Sequence, residues 1–98
     1  MRFGRPSEEQ LRRTFDSVLT AVLSGRGVRT ETGLDHTTET ALWAIARARA
    51  NRPEALVDDL VAAARRAFAG QLDGTNAAER RAEMDRRLAA RTRSIGSP

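Results

Sequence analysis

Residues 7–23 read Ser7-Glu8-Glu9-Gln10-Leu11-Arg12-Arg13-Thr14-Phe15-Asp16-Ser17-Val18-Leu19-Thr20-Ala21-Val22-Leu23, and this stretch decides the fold class. Leu11, Phe15, Val18, Leu19, Val22 and Leu23 recur at three- and four-residue steps, which line one face of a helix. Ser7 and Gln10 have capping-box spacing, so two backbone donors at the helix start find acceptors. Glu8 and Glu9 place negative charge against the positive end of the macrodipole. Each has an arginine four residues on, in the favourable order. Gly25 ends the run.

Working outward, residues 25–36 hold three glycines and several β-branched residues, which disfavours a long helix. A second helix is expected from N-cap types at Asp35–Thr38 to about Asn51-Arg52, with Leu42, Ile45, Ala46 and Arg49 on one side. Pro53 suits the first position of a third helix. Its stripe is Leu56, Val57, Leu60, Val61, Ala64 and Phe68, and Gly70 is expected to stop it, with Gln71–Gly74 as a turn. A fourth helix is expected from Asn76 to Arg93, with Asn76 and Glu79 at capping-box spacing and a fraying tail from Ser94 to Pro98. The pattern is all-α: a three-helix core over residues 1–75 and an additional arginine-rich C-terminal helix over residues 76–98.

Composition removes many chemistries. All seventeen cationic side chains are arginine, so lysine-based nucleophiles, Schiff bases and phosphate cradles are absent. The sequence pI of about 11.3 overstates the basicity, because arginine stays charged to about pH 12. The net charge is only +4. A bias this complete is most simply the mark of a GC-rich coding sequence. There is no cysteine, which excludes disulfides, thiolate metal sites and cysteine nucleophiles. No apolar run has the length of a membrane span, and the opening residues lack a signal-peptide core, so a cytoplasmic protein is expected. Much of the apolar content is alanine. The core of a 98-residue chain is then thin, which favours a protein partner or self-association.

Catalytic constellations are weak, and neither an enzyme nor a cofactor is expected. The serines form no nucleophile elbow. Gly25-Arg26-Gly27 lacks the rest of a dinucleotide fingerprint. Asp58 and Asp59 diverge by about 100° on a helix and face solvent. His36 and Glu39 share a helix face, with Asp35 and Glu31 near, which gives a weak metal-binding alternative. No metal ligand is assigned, since a lone histidine at a helix start is most simply solvated.

Thr32-Gly33-Leu34-Asp35-His36-Thr37-Thr38 resembles the turn and recognition-helix start of helix-turn-helix regulators. The resemblance implies a DNA-binding region over residues 27–50, with His36, Thr37, Thr38 and Arg47 reaching base edges. Arg29 and Glu39 depart from that pattern, standing where a small residue and a buried aliphatic residue are usual. Gly27–Thr32 is also poor sequence for the preceding helix.

The fourth helix carries six arginines against three carboxylates, which is +3 of the chain's +4. A solvated face explains such a helix, as does non-specific phosphate binding, so nucleic acid stays open. The expected function is that of a small non-enzymatic subunit or adaptor docking through this helix. Arg80, Arg81, Met84, Arg87, Leu88 and Arg91 are the partner-binding candidates. Trp43, the only tryptophan, is expected in the core or as an anchor at its edge.

Overall fold

The computed structural model describes residues 6–28 and 32–96, with side chains described as far as Thr92. Four helices follow in order: α1 Glu8–Leu23, α2 His36–Asn51, α3 Asp58–Leu72 and α4 Thr75–Gly96. No strand occurs among the described residues.

α1 forms as its sequence dictates. Ser7 Oγ accepts from Gln10 N at 3.1 Å, and Gln10 Oε1 accepts from Ser7 N at 2.9 Å. Both expected ion pairs are made, Glu8 with Arg12 and Glu9 with Arg13. They are exposed, so each adds only about 0.3–0.5 kcal/mol. Phe15, Val18, Leu19 and Val22 are buried, and Gly25 turns the chain away at φ +88°. α2 starts at the Asp35 N-cap, whose Oδ1 accepts from Thr38 N at 2.8 Å. Leu42, Ile45 and Ala46 are buried along it. Arg49 is half-buried, and its Nη1 donates to Pro53 O at 2.6 Å.

The third helix starts later than expected, and that last bond lies in the segment before it. A helix beginning at Pro53 would hand the Pro53 carbonyl to Val57 N. Here that carbonyl accepts from Arg49, Pro53-Glu54 forms a turn, and α3 begins five residues later at Asp58. Leu56 therefore leaves the expected stripe and is 92% exposed, while Val57 enters the core. At the other end Gly70 does not stop the helix. α3 runs on to Leu72, and Gly74, at φ +84°, makes the turn.

The core is built from Phe15, Val18, Leu19 and Val22 of α1, Leu42, Ile45 and Ala46 of α2, and Ala64 and Phe68 of α3. Leu34 and Val57 enter it from the connecting segments. Leu42, Ile45 and Val22 are fully enclosed, each worth about 1.5–3 kcal/mol relative to exposure. α2 packs on both neighbours, and Phe15 of α1 stacks on Phe68 of α3 with centroids 4.5 Å apart.

α4 departs from this body. Every residue from Ala77 to Thr92 is exposed. The radius of gyration is 16.9 Å. A compact chain of this length would give about 12.6 Å. The helix also continues past Arg93 to Gly96; Ser97 and Pro98 lie outside the described residues.

Candidate docking site

The direction of α4 is set at its root by a polar clamp. Asn76 is not a cap; it lies inside the first turn of α4 and is buried. Its Nδ2 donates to Ala67 O at 2.7 Å and to Asp35 Oδ2 at 3.0 Å. Asp35 thus caps α2 with one oxygen and holds α4 with the other. Gln71 completes the clamp from α3. Its Oε1 accepts from Asp35 N at 2.9 Å, and its Nε2 donates to Gly33 O at 3.0 Å. Gly70 is what lets Asn76 come this close, since a methyl group there would overlap the Asn76 amide. Asp73 Oδ1 accepts from Thr75 N at 2.8 Å and so caps α4. These bonds hold the Asp73 carboxyl below its usual range.

Beyond the clamp, α4 presents one distinctive face. At about 100° per residue, Arg80, Arg81, Met84, Arg87, Leu88 and Arg91 fall within an arc of about 120°. Met84 is 62% exposed and Leu88 53%, so two apolar side chains stand in water with guanidinium groups on both sides. Ala82, Arg86 and Ala89 occupy the opposite side. Glu83 bonds Arg86 at 2.8 Å and Arg87 at 3.2 Å. The Arg86 hydrogen bond and charge, then the Arg87 charge, pull its carboxyl below the usual range. Arg80, Arg81 and Arg91 have no ion pair among the described residues.

Trp43 is 44% exposed, so it is an edge residue and not part of the core. It stands on α2 beside Gly27 and is not brought onto the α4 face. It shares an exposed line at helical spacing with His36, Thr40 and Arg47.

Of the four base-reading candidates, His36, Thr37 and Arg47 are exposed, but Thr38 is fully enclosed and has no route to a base edge. Its hydroxyl also lacks a hydrogen-bond partner. Gly27, Val28 and Thr32 are not helical, so those residues supply no preceding helix; Arg29 and Glu31 lie outside the described residues. Glu39 accepts from Thr32 Oγ1 at 3.1 Å, which engages it away from a shared site with His36. No group of three or more metal-ligating side chains is assembled among the described residues. A groove of about 360 Å³ over the Phe15–Phe68 stack is walled by Arg12, Asp16 and Arg65.

The described structure defines a small all-helical protein, and no described helix is long and apolar enough to cross a membrane. Compared with families of known sequence, with characterised proteins and with solved structures, the chain gives no match.

The clamp residues Gly70, Gln71 and Asn76 and the exposed Leu56 are what sequence reading missed. Gly70 inside an otherwise good helix, six residues before an asparagine, was the one local sign of close approach.

Proposed function

We propose that the chain is a non-enzymatic helical subunit or adaptor that docks on a protein partner through α4. One observation carries this reading: a 22-residue helix projects from the body with Met84 and Leu88 exposed among arginines. Leaving two large apolar side chains in water gains nothing for the body, and burying them against a partner recovers about 25 cal/mol per Å². The arginines add steering and register on an acidic surface. The body supplies a fixed base, because the Asn76 clamp sets the angle at which α4 is offered.

The test is a pair of full-length variants, Met84→Glu with Leu88→Glu, and Arg81→Glu with Arg91→Glu. Each is expected to lose the co-purifying partner while circular dichroism keeps its helical signal. Partner cross-links are expected between residues 80 and 91. Capture unchanged in both variants would overturn the proposal. Duplex DNA binding with a steep salt dependence, lost on substituting His36 and Arg47, would replace it with the nucleic-acid reading.

A further inference from the structure

The same molecule carries a surface complementary to α4. Glu54, Asp58 and Asp59 are exposed, and no cation occurs between Pro53 and Ala64. Residues 53–64 carry net charge −3, against +3 for residues 76–98; the Arg49 guanidinium on Pro53 O and the exposed Arg52 border this acidic corner on one side. In its middle stands Leu56, the most exposed large apolar side chain of the described residues. It lies in the non-helical segment between the Pro53-Glu54 turn and the start of α3, where the Arg49 side chain bonds Pro53 O.

The corner lies beyond reach of its own α4. It sits at the start of α3, and α4 leaves from the other end, about 22 Å away along the helix axis. The clamp aims α4 outward, with Ala77–Thr92 exposed throughout.

Pairing of α4 with another α4 is disfavoured. In a parallel pair, Arg81 meets Arg81 and Arg91 meets Arg91. In an antiparallel pair centred on Met84 and Leu88, Arg81 meets Arg91. Either arrangement sets unpaired guanidinium groups against each other at the seam.

Resting on the reading of α4 as a docking element, we infer that α4 docks on the Leu56–Asp59 corner of a second copy of this chain. Leu56 packs between Met84 and Leu88, and Glu54, Asp58 and Asp59 face Arg80, Arg81 and Arg91. The two surfaces differ and sit apart on each copy, so the contact is head-to-tail and propagates unless the rotation closes a ring. The contact centres on only three apolar side chains with charged groups around them, so association is weak and salt-sensitive.

Sedimentation velocity on the full chain tests this. At about 50 mM salt the average mass is expected to rise above 10.8 kDa as concentration approaches about 1 mM, and to return to 10.8 kDa at about 0.5 M salt. Arg81→Glu with Arg91→Glu, and separately Asp58→Arg with Asp59→Arg, should each weaken self-association by about tenfold or more. Mixing the two variants should restore association, because reversed α4 then meets the reversed corner and native α4 meets the native one. Leu56→Ser, at a position outside the core, should weaken it without lowering the melting temperature. A wild-type mass fixed at 10.8 kDa under all conditions, or association that survives both reversals, overturns the inference. If the chain stays monomeric yet the α4 variants still lose a different protein, only this inference fails and the docking function stands.

Discussion

Two positions show how much a single side chain decides here. Gly70→Ala in an exposed helix would stabilise by about 0.5–1 kcal/mol. Here the added methyl group must displace the Asn76 amide, which is buried and doubly bonded. The substitution is therefore expected to destabilise by about 1–2 kcal/mol, read as a lower midpoint in urea. Thr38 presents the opposite case. Its hydroxyl is enclosed and unpaired, so Thr38→Val removes a desolvated polar group at nearly constant shape. That variant is expected to gain up to about 1 kcal/mol, seen as a higher thermal midpoint; a loss would mean that the hydroxyl is satisfied in solution.

At the scale of elements, α4 and the body are held by different forces. The body rests on buried apolar area, whereas α4 relies on helix propensity, on Glu83 with its two arginines, and on the Asp73 cap. Both carboxyls have folded pKa values below their ordinary 3.8 and 4.5. A depressed value means that the charged form favours the folded helix, so the contribution is complete above those ordinary values and disappears as pH falls through the lowered ones. Carbon chemical shifts over residues 75–92 are expected to lose helical character on acidification below about pH 4, before the shifts of α2. Truncation separates the elements further. Removing residues 79–98 should leave the melting temperature within about 3 °C, since exposed side chains away from packed features contribute little. Removing residues 76–98 deletes the clamp as well, and should cost about 1–3 kcal/mol more.

What could be read from the chain follows the same division. α1 was legible to the residue because cap, charges and stripe are all local. α2 was legible in its bounds, but Trp43, one position off the apolar face, turned out to be half-exposed. The start of α3 was not legible, because Pro53 suits a first helical position and the apolar spacing runs through Leu56, whereas the chain turns at Pro53-Glu54 and the helix begins at Asp58. The clamp was hidden for a stronger reason. Asp35 meets Asn76 across 41 positions, and Gln71 meets Gly33 across 38, so each residue looks like an ordinary cap or turn former. The arginine face of α4 was visible in the sequence, and its exposure follows from the clamp.

For the whole molecule, the outward helix sets the size in solution. Small-angle scattering at high salt, where copies separate, is expected to give a radius of gyration near 16.9 Å. A value near 12.6 Å would mean that α4 folds back on the body. Asn76→Ala should broaden the distribution of distances by releasing the angle between α4 and α3 while sparing the body's helices.

A rod that is fastened only at its root can be resized without rebuilding its foundation. Each residue added or deleted past the first turn moves the tip by about 1.5 Å and swings the arginine-bordered side by about 100°. Indels of seven residues would keep that side facing within about 20° while altering the span by about 10 Å. The length of this arm is thus a free parameter of the architecture, and its bearing is fixed by the asparagine at its foot.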